Sequence, residues 1–292
     1  MLLISDCKIL SSKISKLKKL GKKICFIPTM GNLHAGHLKL IREGKKENQV
    51  TLLSIFVNPL QFDDSSDYQN YPRTFEQDKK LASKEDVDFL FMPEENFILK
   101  KKVSFELGDI SKKLCGNQRK GHFQGVAAVI IEFLDLIKPN IIFLGEKDFQ
   151  QIIVIKKIIK DLNYNTKVKI VSTVRDKDNV ALSSRNKLLG KNAVLSVLIP
   201  KTLIQITSEI KFGNFKSSWI EELKNDLINK GIKRVDYLEI LKEKDLNFPD
   251  NQFSKCRIFI SVRIGSVKLI DNMKLDRRIR YEDGKLIEEK LV

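Results

Sequence analysis

The sequence predicts an α/β fold, a parallel sheet with helices on both faces, joined to a smaller C-terminal α+β domain. Three features predict it. Continuous β-branched and aromatic runs, the mark of strands buried on both faces, alternate with helical spacing over roughly the first 175 residues. Polar motifs carrying glycine or proline fall where those runs end and helices open. After residue 175 the alternation stops, and two helical stretches are followed by a series of short strands.

In chain order, KKICFIPTM (22–30) and VTLLSIFV (50–57) read as buried strands, with GHLKLIREGKKEN as a helix between them. TFEQDKKLASKED reads as the next helix, with Thr74 and Gln77 placed as a capping box. DFLFM (88–92) and VSFEL (103–107) read as strands, GVAAVIIEFLDLIK (125–138) as a long apolar helix, and NIIFLG (140–145) as a strand. A helix, DFQQIIVIKKIIKDL (148–162), and a strand, VKIVST (168–173), complete a Rossmann-like domain over residues 1–175. Residues 176–292 make the smaller domain. A polar stretch, RDKDNVALSSRNKL, leads into the helices KTLIQITSEI and WIEELKNDLINKG and the strands VDYLEIL, CRIFISVRI and VKLID. The charged end, KLDRRIRYEDGKLIEEKLV, is expected to be a loosely docked tail.

The composition, 42% hydrophobic and 31% charged over 292 residues, belongs to a folded chain able to bury a sizeable core. No run approaches about 18 uninterrupted apolar residues, so a membrane span is not expected. The opening MLLISDCKILSSKISKLKKL is broken by Asp6, Lys8 and Lys13 and carries no secretory cleavage pattern. Cys7, Cys25, Cys115 and Cys256 are scattered without a CxxC pair, which argues against structural zinc and for a reducing, cytoplasmic setting. The formal net charge of +16 raises the question of a nucleic-acid partner. It arises from 42 lysines and 11 arginines spread along the whole chain, without clustered Arg forks or interleaved aromatics. A solvated basic surface and an anionic nucleotide substrate account for it, so neither nucleic acid nor membrane is an expected partner.

Four motifs carry chemistry. PTMGNLHAGH, Pro28 to His37, follows a buried strand and opens a helix at the carboxyl edge of the sheet. Gly31 and Gly36 allow tight turns, while His34 and His37, three residues apart, can share one helical face. Two imidazole donors at a helix N-terminus suit nucleotide phosphates, because the free N–H groups and the dipole point the same way. FVNPLQF, Phe56 to Phe62, ends the next strand, where Asn58 and Gln61 offer amides that both donate and accept; alone, an NP at a strand end is usually a turn. GEKDFQQ, Gly145 to Gln151, lies at another strand-to-helix junction. There Lys147 supplies a cation, and Asp148 a carboxylate for a ribose or a helix cap. LSSRN, Leu182 to Asn186, presents Ser183, Ser184 and Arg185 as a cationic polar segment suited to polyphosphate. His122 in GHFQG reads as a structural or surface histidine ahead of an active-site one.

Together and in this order the four motifs resemble the pantothenate synthetase family (pantoate–β-alanine ligases). DYQNYPRTFEQD, GHFQGVAAV, VDYLEIL and VKLIDN resemble it as well, so that the likeness runs from about Lys22 to Asn272. The resemblance implies a two-step reaction, in which pantoate and ATP give pantoyl adenylate and pyrophosphate, and β-alanine then displaces AMP. By position it implies ATP contacts from Met30, Gly31, Asn32, Leu33, His34, Ala35, Gly36 and His37, and from Gly145, Glu146, Lys147, Asp148, Val174, Leu182, Ser183, Ser184 and Arg185. His34, His37 and Lys147 take the catalytic roles, His37 falling where the family has its proton donor. Gln61 and Gln151 are implied to hold pantoate, with Gln61 also near β-alanine. The resemblance further implies a homodimer and a smaller domain that closes as a lid over the adenylate. No His, Cys and carboxylate spacing marks a tight metal site, so Mg²⁺ is expected to arrive with ATP.

The sequence departs from the family in Asp178-Asn179-Val180-Ala181, where DGLA is usual, and in Phe149, where Tyr is commoner. Asn tolerates positive φ, so the turn at Asn179 is expected to survive. The extension beyond Asn272 matches no family role. Two rival readings stand beside this one. Another HxGH adenylyltransferase is disfavoured by FVNPLQF with a downstream GEKDFQQ, and a basic RNA- or membrane-surface-binding protein by the absence of clustered Arg or aromatics.

Overall fold

Nearly every continuous apolar run of the first half becomes a parallel strand. The structure, a computed structural model, describes all residues except 48, 64, 99–104, 213–214, 250–252, 254, 276, 283–284 and 291–292. The chain divides into two compact units, Met1–Ser172 and Thr173–Val292.

The first unit begins with β1 (Leu2–Ile4), α1 (Cys7–Lys19), β2 (Ile24–Thr29), α2 (Ala35–Lys46) and β3 (Val50–Ile55). It continues through α3 (Ser65–Gln69), α4 (Phe75–Lys84), β4 (Phe89–Phe91), α5 (Leu114–Gln118) and α6 (His122–Ile137). β5 (Ile141–Gly145), α7 (Phe149–Asp161) and β6 (Lys167–Val171) complete it. All six strands are parallel, in the spatial order β1-β4-β3-β2-β5-β6. The chain builds outward from β2 through β3 to β4, then returns to β5 and β6 on the other side. The reversal therefore lies between β2 and β5, which is where open α/β sheets form a crevice.

Strand alternation assigns the two faces. Cys25, Ile27, Leu53 and Leu90 pack on one side with Leu40 and Ile41 of α2 and Ala82 of α4. Phe26 points the opposite way and meets Phe133 of α6 at 5.1 Å, and Phe133 also touches Phe97 at 5.0 Å. Aromatic rings tilted at these separations add to the area they bury, so Phe133 is the keystone of that face.

Several expectations need correction. The opening segment, which the expected series of strands and helices left out, forms β1 and α1; Asp6 caps the helix by accepting from Ile9 N at 2.8 Å. Thr74 occupies the N-cap of α4, but its side chain makes no cap bond and instead donates to Asp78 Oδ2 at 3.2 Å. The capping box with Gln77 does not form, because a buried carboxylate in the same turn is the better acceptor. Of the expected strand 103–107, Val103 and Ser104 lie outside the described residues, and Phe105–Leu107 are irregular.

The second unit holds α8 (Leu198–Lys211), α9 (Trp219–Asn229), β7 (Arg234–Lys242), β8 (Cys256–Ile264) and β9 (Val267–Lys274). The three strands are antiparallel, in the order β7-β8-β9. Ile199, Leu203 and Ile206 of α8 and Leu227 of α9 pack on Leu238, Ile258, Ile260 and Leu269 of the sheet. The stretch Gly190–Lys211 is long and apolar enough by composition to cross a membrane. Its buried side chains, however, are the ones that close this core. In the charged tail, β10 (Arg277–Glu282) and β11 (Lys285–Lys290) pair as an antiparallel hairpin, so the segment has regular structure of its own.

Candidate active site

The carboxyl ends of β3, β2 and β5 are neighbours in the sheet, and three of the four motifs hang from them. PTMGNLHAGH leaves β2, FVNPLQF leaves β3 and GEKDFQQ leaves β5. Sequence separations of about a hundred residues thus collapse to adjacent loops at the switch point.

The histidines face each other at the start of the helix and also cap it. His34 is the N-cap of α2, in extended conformation at φ −138°, and its Nδ1 accepts from Gly36 N at 3.1 Å. His37 returns the bond, its Nδ1 accepting from His34 N at 3.3 Å. The two rings meet at 4.1 Å between centroids, tilted by 42°. An N–H pointing at Nδ1 requires a lone pair there, so each neutral ring carries its proton on Nε2. The reciprocal cap therefore places both Nε2–H groups at the positive end of a helix. Dense surroundings, then the neighbouring His34, push the His37 pKa down to about 3. His37 is consequently a neutral hydrogen-bond donor near neutral pH rather than a cation.

Gly36 has a specific reason to be glycine. A Cβ there would lie 2.8 Å from His34 Cε1, so the imidazole lies over that position. Gly31 takes φ +79°, and Asn32 follows at φ 48°. This left-handed turn is held by Asp78 of α4, 1% exposed. Its Oδ2 accepts from Asn32 N at 2.9 Å and its Oδ1 from Leu33 N at 2.7 Å. Sequence reasoning missed Asp78; an acid inside TFEQD reads as an ordinary helix-start residue until the sheet brings α4 beneath the loop.

The amides divide into two that are spent and two that are not. Asn58 Nδ2 donates to Gly125 O at 2.8 Å, and its Oδ1 accepts from Leu60 N at 3.0 Å. Gln150 donates to Ile110 O and Lys113 O at 2.9 and 2.7 Å and accepts from Cys115 N at 3.1 Å. Both therefore hold structure. Gln61, 9% exposed, and the half-buried Gln151 make no side-chain hydrogen bond among the described residues. An amide that no protein group engages keeps both its donor and its acceptor for a ligand.

At the β5 junction Lys147 Nζ lies 3.2 Å from Asp148 Oδ1. Asp148 sits at the N-cap of α7, yet its side chain makes no cap bond, so the capping alternative is removed. His122 is half-buried. Its Nδ1 donates to Gln61 O at 2.7 Å, and its Nε2 faces Arg119 Nη1 at 3.4 Å. Burial and then the Arg119 charge lower its pKa to about 4, which keeps it neutral near pH 7.

The fourth motif belongs to the second unit. Ser183 Oγ accepts from Arg185 N at 3.3 Å and opens the 3₁₀ turn Ser184–Leu188. Leu182 N donates to Val174 O at 2.9 Å, and Asn186 Nδ2 to Ala181 O at 3.2 Å, so the segment folds back on itself. Asn179 adopts φ +64°, as the turn requires. Asp176 Oδ1 accepts from both Asp178 N and Val180 N at 2.9 Å, and Arg175 bonds Asn179 O at 3.0 Å and Asp271 Oδ2 at 2.6 Å. Among the described residues no group of three His, Cys, Asp or Glu side chains is arranged to hold a metal ion.

A switch-point crevice with helix-capping histidines, a lysine and uncommitted amides defines a nucleotide-handling α/β protein of the HxGH type. The family model for pantoate-beta-alanine ligase matches residues 2–274. The pantothenate synthetase of Sulfurihydrogenibium sp. (strain YO3AOP1) is 42% identical over 263 residues, covering 88% of this chain and 94% of that protein. That of Buchnera aphidicola subsp. Acyrthosiphon pisum (strain 5A) is 41% identical over 284 residues, covering 94% and 99%. Among solved structures, pantothenate synthetase from Thermus thermophilus aligns with TM-score 0.85 at 31% identity, covering 94% of this chain and 99% of that one. Pantoate-beta-alanine ligase from Francisella tularensis, complexed with beta-gamma ATP and beta-alanine, aligns with TM-score 0.79 at 36% identity over 94% and 98%. The chain belongs to the pantoate–β-alanine ligase family.

Proposed function

We propose that this chain condenses (R)-pantoate with β-alanine at the expense of ATP, giving pantothenate, AMP and pyrophosphate through a pantoyl adenylate. The observation that carries the reading is the pairing, on adjacent strand ends, of two Nε2–H imidazoles with two uncommitted amides. The imidazoles match phosphate oxygens, and the amides match a substrate with hydroxyls and a carboxylate.

In the first step a pantoate carboxylate oxygen attacks the α-phosphorus and the bond to pyrophosphate breaks. His34 and His37 donate Nε2–H bonds to phosphate oxygens whose charge grows in the transition state, with Lys147 as the cation beside them. No protein nucleophile is required, because the substrate carboxylate is the nucleophile. In the second step the β-alanine amine attacks the acyl carbon, the acyl–oxygen bond to AMP breaks, and the amine loses a proton. Gln61 and Gln151 hold pantoate through both steps. Met30 to His37, Gly145 to Asp148, Val174 and the segment Leu182 to Arg185 supply the remaining ATP contacts, and the second unit acts as a lid. The donor set is that of a site where a metal would arrive on the phosphates and keep its waters, with no carboxylate of the chain assigned to it. When bound, Mg²⁺ would neutralise phosphate charge. A homodimer formed through the first unit, in the cytoplasm, completes the reading.

The test is pyrophosphate release from Mg-ATP with pantoate, then AMP release on adding β-alanine. Pyrophosphate that appears only with pantoate, and AMP only with β-alanine, supports the adenylate route. Silence with both substrates, from protein that still binds ATP, overturns it. Sedimentation as a monomer at micromolar concentration counts against the dimer.

A further inference from the structure

The Gln61 amide has no side-chain partner among the described residues, yet its backbone is among the most firmly held points of the loop that carries it. The Gln61 carbonyl oxygen accepts from Arg119 Nη2 at 2.8 Å and from His122 Nδ1 at 2.7 Å. Arg119 is itself fixed, since its Nε donates to Asp63 Oδ1 at 2.8 Å. Its Nη1 lies 3.4 Å from His122 Nε2, so both ring nitrogens of His122 are engaged. Asp63, Arg119, His122 and the Gln61 carbonyl thus form one connected network spanning the 3₁₀ turn Pro59–Gln61 and the start of α6.

A second rivet closes the other side of the turn. Asn58 bonds Gly125 O, and a Cβ on Gly125 would lie 2.1 Å from Leu60 O, so only glycine admits this approach. The turn is therefore pressed onto α6 and then locked at the carbonyl of the very residue whose side chain is left available. A flexible glutamine side chain gains aim when its own backbone cannot rock, because a displacement of about 1 Å at a reacting group can cost on the order of a hundredfold in rate.

We propose that Arg119 and His122 are positioning residues for pantoate, holding the Gln61 backbone through its carbonyl so that the side-chain amide is aimed at the substrate. The assignment rests on the reading of Gln61 as a pantoate-binding group. It gives GHFQG a function in the reaction without contact to substrate, and it couples that motif to FVNPLQF.

The experiment compares His122→Ala, His122→Asn and Arg119→Lys with the unaltered enzyme in pantoate-dependent pyrophosphate release, with melting temperatures measured in parallel. Asn places an N–H₂ donor where Nδ1–H stood, whereas Ala supplies none, and Lys keeps the charge of Arg119 without the fork. The expected result is a pantoate KM raised about tenfold or more in His122→Ala and Arg119→Lys, an ATP KM changed less than about twofold, and recovery of most of the loss in His122→Asn. Pantoate and ATP KM rising together with a falling melting temperature would assign the pair to fold stability alone and overturn the proposal. An unchanged pantoate KM, or His122→Asn no better than Ala, overturns it equally. Absence of pantoate-dependent release from the unaltered enzyme would remove the ligase reading itself, and this assignment with it.

Discussion

His34 and His37 cap each other's turn, each ring accepting a backbone N–H at Nδ1 and so carrying its own N–H on Nε2. The capping role and the ligand-binding role are thereby carried by different nitrogens of the same ring. Substitutions can separate them. His37→Asn retains an acceptor near Nδ1 and loses the distal donor, whereas His37→Gln retains a donor near Nε2. His37→Asn and His37→Ala are expected to lower the rate of adenylate formation by about 10²–10³-fold, and His37→Gln by less. An alanine variant with more than half the normal turnover would remove His37 from the phosphate site.

Gly36→Ala should separate activity from stability. Its new Cβ would collide with the far side of a ring, which can swing away, and alanine favours the helix by up to about 1 kcal/mol over glycine. The melting temperature is expected to hold or rise while turnover falls, because His34 leaves its cap. Loss of both together would mean that the ring has nowhere to go.

Asp78→Asn leaves one oxygen for two backbone donors and turns an N–H₂ toward one of them. A buried unpaired donor costs about 1–3 kcal/mol, and the loop it frees carries the ATP contacts. The expected outcome is a lower denaturation midpoint with a raised ATP KM and little change in pantoate KM. Equal effects on both substrates would show that Asp78 serves the whole crevice.

Native-state pKa values near 3 for His37 and near 4 for His122 lie below the ordinary 6.5. Between those values and 6.5 the unfolded chain binds more protons than the native one, so stability is full above pH 6.5 and falls as the pH drops. Each histidine contributes a slope of at most about 1.4 kcal/mol per pH unit in that window. Urea midpoints measured from pH 7 to pH 5 should show the fall, and it should be shallower in His122→Gln. The same neutrality predicts no acid break from His37 in kcat near pH 6.5. A His37-dependent break there would mean that the catalytic form is the imidazolium.

Asn179→Ala places a Cβ-bearing residue without a polar side chain at φ +64°, which costs about 1–2 kcal/mol, whereas Asn179→Gly is expected to be near neutral. Matching thermal melts of the two variants would mean that the turn relaxes out of the left-handed region.

Much of this protein was written in local pattern. The continuous apolar runs KKICFIPTM and VTLLSIFV, the helix of GVAAVIIEFLDLIK and each of the four motifs depend on neighbours a few residues apart, so they could be read directly from the chain. Asn179 was legible for the same reason, since left-handed backbone is a property of the residue itself. What the sequence could not reveal depends on contacts between distant segments. Thr74 forgoes its local capping partner because Asp78 is buried beneath a loop more than forty residues earlier in the chain. Asn58 and Gln150 look as available as Gln61 and Gln151 until α5, α6 and the turn at Ile110 take up their hydrogen bonds. The sequence determined which groups the crevice could contain. Tertiary packing decided which remained available to a ligand, because a buried polar group is satisfied by whatever the fold brings within about 3 Å of it.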